Sequence, residues 1–190
     1  MIEQHPLPFF LPQNARLLML GSFPPARKRW SMDFYYPNLQ NDMWRIFGLV
    51  FFKDKEFFID SSKKVFDKER IVGFLNEKGI ALGDTARAIV RLNNNASDKY
   101  LEVKEVIDVS HTLSLLPECQ AVVTTGEKAT EIICSIINVN KSKLGESSVF
   151  NFLGRNMVLY RMPSSSRAYP KSLEEKALIY KRMFKEQKML

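Results

Sequence analysis

Between Ala15 and Leu20 the chain reads Ala-Arg-Leu-Leu-Met-Leu, and the run stops abruptly at Gly21-Ser22-Phe23-Pro24-Pro25. An apolar run bounded by Gly and Pro marks a strand buried on both faces, the kind found in parallel sheets. Three further runs share that character. Gly79-Ile80-Ala81-Leu82 ends in Gly83-Asp84-Thr85, Ala121 to Thr125 ends at Gly126, and Asn156 to Arg161 gives way to Met162-Pro163-Ser164-Ser165-Ser166-Arg167. Between the first two strands, Met43, Ile46, Phe47 and Val50 stand at helical spacing, which predicts a helix beginning near Asn41 or Asp42. From Lys53 to Glu77, apolar Phe57, Val65, Phe66, Ile71, Phe74 and Leu75 alternate with charged residues, which predicts amphipathic helices on the outside of a sheet. Helix-like sequence also follows the second and third strands. Asn93 to Asp98 reads as a loop by composition, Glu102 to Val109 as a helical stretch, and Leu173 to Gln187 as a final helix.

This alternation predicts an α/β three-layer sandwich: a central, mostly parallel four-stranded sheet with helices on both faces. Asn140 to Ser148 reads as a loop with a short hairpin after it, and no repeat or linker divides residues 1–190, so one domain is expected. In open α/β sheets the loops at the carboxyl ends of the strands hold ligands. The loops after the first and fourth strands are therefore expected to face one crevice.

At 190 residues and 45% hydrophobic content the chain can bury a sizeable core. A net charge of +7 would draw acidic partners, most simply nucleic acid, at low salt. Two cysteines, Cys119 and Cys134, are too few for a disulfide framework or for a four-cysteine zinc or iron–sulfur site. The N-terminus lacks the basic start and apolar core of a signal peptide, and no apolar run reaches about 18 residues. A monomeric cytoplasmic protein, bound to no membrane, metal or cofactor, is the expectation. Dinucleotide, P-loop, zincin and nucleophile-elbow motifs are all missing. His5 and His111 lie outside the strand-end loops, so histidine-based catalysis is disfavoured and both are expected to be surface or packing residues.

The first loop, Gly-Ser-Phe-Pro-Pro followed by Tyr35-Tyr36-Pro37-Asn38-Leu39-Gln40-Asn41-Asp42-Met43-Trp44, resembles the uracil-DNA glycosylase superfamily. It is most similar to the hypoxanthine-DNA glycosylase branch, which carries Gly-Ser-Phe-Pro after its first strand, then an aromatic pair and His-Pro-x-Asn-x-Phe-Trp. Tyr35 and Tyr36 match the aromatic pair, Asn41 the asparagine and Trp44 the tryptophan. The second loop, Met162 to Ala168, looks like the branch's Leu-Pro-Ser-Thr-Ser-Pro-Ala. Asp84 stands where the branch has a strand-ending Asp. Departures are Asn38 for His, Leu39 for Pro, Met43 for Phe, Thr125 for Asn and Arg167 for Pro.

The resemblance implies a monofunctional DNA glycosylase that flips a deaminated base, uracil or hypoxanthine, out of DNA and hydrolyses its N-glycosidic bond without metal or cofactor. Such a reaction develops positive charge on the sugar and negative charge on the departing base, so neutral donors suffice on the base side. Backbone N–H groups of Gly21, Ser22 and Phe23 would supply oriented dipoles. Asn41 would be the catalytic amide, handling water or the base edge, against the plainer reading that it only caps the helix after it. Phe23 would stack on the flipped base, with Pro25 stiffening the wall, Tyr36 lining the base site, and Trp44 and one tyrosine packing in the core. Ser164, Ser165 and Ser166 would meet a DNA phosphate, with Arg27, Lys28 and Arg167 adding charge. The alternative is a nucleic-acid or nucleobase binding protein on the same fold, inactive or weakly active.

Overall fold

The computed structural model describes residues 1–92 and 100–190. The loop expected at Asn93 to Asp98 therefore lies outside the described residues. In chain order the elements are β1 (Ile2–Gln4), β2 (Leu17–Gly21), α1 (Met43–Phe47), β3 (Ile59–Asp60), β4 (Val65–Phe66), α2 (Lys68–Lys78), β5 (Ile80–Asp84), β6 (Ala86–Arg91), β7 (Leu101–Val106), α3 (Val109–Ser114), β8 (Ala121–Thr125), α4 (Glu127–Ile137), β9 (Ser147–Phe152), β10 (Arg155–Met162) and α5 (Leu173–Glu186).

The central sheet runs β5-β2-β8-β10-β9, with the first four strands parallel and β9 antiparallel to β10. Every residue of β2, β5 and β8 is buried, which is why these strands read as unbroken apolar runs. Successive side chains point to opposite faces. Leu17, Met19, Leu82 and Val123 therefore enter one core with Trp44, Phe47, Phe74 and Phe184, while Leu18, Leu20, Ala81 and Val122 enter the other with Leu113 and Ile133. Helices α1, α2 and α5 thus cover one face, and α3 and α4 the other. No helix among the described residues is long and apolar enough to cross a membrane.

The expectation of four strands is corrected to five. β9 forms a hairpin with β10 through Leu153 and Gly154, both at positive φ, where a short hairpin was expected after Ser148, and this hairpin adds the fifth strand to the sheet. The helical stretch expected at Glu102 to Val109 is instead strand β7, with α3 starting after the Asp108 cap. Antiparallel pairing with β6 decides it, since β propensity follows the neighbours a strand finds. β5 is followed by β6 after a single residue, Thr85, rather than by a helix, and β6 joins β1 and β7 in a second small sheet. Between Lys53 and Glu77 there is one amphipathic helix, α2, preceded by the short β3–β4 pair. The helix expected near Asn41 begins at Met43 and runs on as a wider π turn, Gly48–Phe52.

Candidate active site

The carboxyl ends of the parallel strands open into a cleft of about 500 Å³. That lies within the roughly 300–1,000 Å³ typical of small-molecule sites. Gly21, Ser22, Phe23 and Pro25 line one wall, Tyr36 and Asn41 stand beside them, and Ser164, Ser165 and Ser166 arrive from the other loop. Segments more than a hundred residues apart in sequence therefore share one rim.

Backbone and charge hold the two loops together. Asn41 and Ser166 form an antiparallel bridge, and Asp42 N–H donates to the Ser165 carbonyl at 2.9 Å. The buried Asp42 carboxylate accepts from Arg167 Nε at 3.0 Å and from Lys176 Nζ at 3.0 Å, and Lys176 Nζ also donates to the Ser166 carbonyl at 2.8 Å. Lys176 is fully buried in the first turn of α5. A buried ammonium survives only when paired, so Asp42 and Lys176 fix each other and both loops with them.

Asn41 is half-buried, and its Oδ1 accepts the Met43 N–H at 2.9 Å at the start of α1. An N–H donor must face the oxygen, so this bond assigns the amide's orientation. The Nδ2 donor is then left to the cleft, with no hydrogen bond to a described residue. Asn41 thus takes an N–H at the start of α1 with its oxygen and stands in the cleft lining.

Phe23 lines the cleft with its ring held edge-on to His5 at 5.2 Å and beneath the Arg91 guanidinium at 5.9 Å. Tyr36 adopts a positive φ of 50°, and its hydroxyl meets Thr125 Oγ1 at 3.0 Å across the cleft floor. Trp44 and Tyr35 are buried in the core, where Trp44 Nε1 donates to the Tyr35 carbonyl at 3.2 Å and the Tyr35 hydroxyl to the Pro8 carbonyl at 2.9 Å. Burial first, and then the Asp84 carboxylate, push the Tyr35 phenol far above its ordinary range, so it remains a neutral donor.

His5 is a packing residue, one of the two places expected of it, and it has a specific polar partner. His5 is buried behind the cleft lining, and its Nε2 lies 2.9 Å from Oδ2 of Asp84, the cleft-lining residue at the carboxyl end of β5. His111 is exposed on α3. Asp84 alone carries a sequence signal, as an acid closing a buried strand, and it is the register partner of Gly21 at the same rim.

The serines form tight local turns, Ser166 N–H donating to Ser164 Oγ and Ala168 N–H to Ser166 Oγ, each at 3.2 Å. Arg27 and Lys28 are exposed in a single 3-10 turn outside the cleft lining, where Arg27 pairs with Asp33 at 2.9 Å and lies over Trp30. Arg167 is likewise absent from the lining, whereas Arg29, Tyr169 and Pro170 line it. Glu127, at the start of α4, also borders the cleft. Its bond from Lys141 and, less strongly, that from Arg161 hold its carboxyl below the ordinary range against an opposing desolvation. Among the described residues no group of three or more His, Cys, Asp or Glu side chains is placed to hold a metal ion.

No family model and no curated protein matches the chain. Among solved structures it is similar to the solution NMR structure of a "putative Uracil DNA glycosylase" from Methanosarcina acetivorans. Identity is 22%, the match covers 96% of this chain and 99% of that one, and the TM-score is 0.62. This likeness establishes the fold.

Proposed function

We propose that the chain is a single-domain, monomeric, cytoplasmic DNA glycosylase that flips a deaminated base, uracil or hypoxanthine, into this cleft and hydrolyses its N-glycosidic bond. The observation that carries the reading is the convergence of both loops on one cleft, with Asn41 and Phe23 both in its lining. A flipped base needs a π surface and polar groups along its edge. Phe23 supplies the first; Asn41 and the Tyr36–Thr125 hydroxyl pair supply the second. The Gly21, Ser22 and Phe23 backbone and the Asn41 Nδ2 would stabilise negative charge on the departing base. Ser164 to Ser166 lie on the opposite lip, where a backbone phosphate would rest, with Arg29 beside the first loop and Arg27 and Lys28 farther out.

Neither loop motif carries a lysine, so nothing there can form an imine with the sugar, and the abasic strand would stay intact. Incubation of purified protein with single- and double-stranded oligonucleotides bearing one uracil, hypoxanthine or xanthine tests this. The expected products are free base and a strand that breaks only after alkali. Absence of any released base, where a known glycosylase works, would leave the binding-protein alternative in possession.

A further inference from the structure

Resting on that glycosylase reading, we propose that Asp84 is the group that takes the proton from the attacking water, and that His5 is the positioning residue that aims it. Asp84 closes β5 and is buried, yet it lines the cleft. Its Oδ2 is anchored by His5 Nε2 at 2.9 Å, while its Oδ1 takes no hydrogen bond from a described residue. That Oδ1 lies over Gly21: a Cβ there would stand 2.3 Å from it. Glycine at this position is therefore what lets the carboxylate reach across the strand end.

His5 is held as firmly as the carboxylate it anchors. Its Nδ1 lies 2.8 Å from the Leu7 carbonyl and 3.2 Å from the Leu7 N–H. Its side chain is fully buried, with the edge of Phe23 at 5.2 Å and the Tyr35 ring stacked at 6.2 Å. An anchored carboxylate with one free oxygen facing a cleft is pre-set to accept a proton without reorganising. The other carboxylate of the cleft, Glu127, has both oxygens engaged by Lys141 and Arg161. The Asn41 amide is not a base and its oxygen serves Met43.

The step balances. The C1′–N bond breaks and its electron pair leaves on the base; the water oxygen bonds to C1′; the water proton passes to Asp84 Oδ1. The departing base takes up a proton from solvent, and Asp84 returns its own. Before the transfer, the ionised carboxylate also faces the cationic sugar, so it stabilises the transition state twice.

The test is single-turnover base release beside binding to an oligonucleotide carrying a 2′-fluoro nucleotide, whose glycosidic bond resists hydrolysis. Asp84→Asn is expected to lose about a hundredfold or more in rate while its Kd for the 2′-fluoro strand stays within about threefold. His5→Ala should show the same split in smaller degree, and His5→Gln, which can still donate to the carboxylate, should recover part of it. Should Asp84→Asn not fold, Gly21→Ala decides, because its new methyl displaces the carboxylate: loss of base release with the Kd for the 2′-fluoro strand kept within about threefold supports the assignment, and a wild-type rate, or a rate lost only together with binding, overturns it. If wild type releases base and Asp84→Asn does so within about threefold, the assignment alone fails. If wild type releases none, the glycosylase reading falls first and takes this with it.

Discussion

At the residue scale, Asn41 divides its amide between two tasks that substitution can separate. Asn41→Ala removes the acceptor for Met43 N–H and should cost about 1 kcal/mol of stability, read as a lower midpoint in urea. Asn41→Asp keeps that acceptor and should leave the midpoint close to wild type. Glu127 gives a pH-dependent counterpart. Its folded pKa is lowered, chiefly by the Lys141 bond, so its contribution is present above the ordinary value of 4.5 and is lost as pH falls through the lowered one. Exposure and screening keep it small. Glu127→Gln should therefore show a shallower fall in Tm between pH 5 and pH 3 than wild type. Asn41 was legible in the sequence because it sits in a motif with its aromatic neighbours. The His5–Asp84 pair was not, because its members are 79 positions apart and nothing local couples them.

At the element scale, α5 does more than cover the sheet. Its start is secured by a capping box between Ser172 and Glu175, and its Lys176 reaches through the core to Asp42 and the Ser166 carbonyl. Lys176→Met would strand the Asp42 carboxylate with the half-exposed Arg167 as its remaining partner, and should cost about 3 kcal/mol. Denaturant unfolding measures this, and an unchanged midpoint would mean that the clamp contributes nothing. The sequence shows α5 by its apolar period, yet Lys176 looks like any solvated lysine, since its partner lies 134 positions away. β7 escaped for a related reason. Leu101 to Val106 alternates Val with Lys and Glu, a pattern that short helices share, and only the facing β6 determines the outcome.

At the scale of the whole molecule, the parallel sheet was readable because strands buried on both faces leave unbroken apolar runs, as β2, β5 and β8 do. The rim where ligands gather followed from that sheet. The fifth strand and the small second sheet did not, since their half-exposed strands are defined by pairing rather than composition. The net charge of +7 makes a further prediction. If the four cations Arg27, Lys28, Arg29 and Arg167 meet phosphates, log affinity for duplex DNA should fall with log salt at a slope of about −3.6. A slope near zero would mean that the strand is not gripped there. The most direct measurement compares wild type with Asn41→Asp in a single-turnover assay of base release from uracil- and hypoxanthine-containing strands. Wild type should liberate the free base, and the variant, folded alike but without the cleft-facing donor, should be slower by about two orders of magnitude or more. Equal rates in the two proteins, or no release by either, would contradict a cleft built to expel a flipped base.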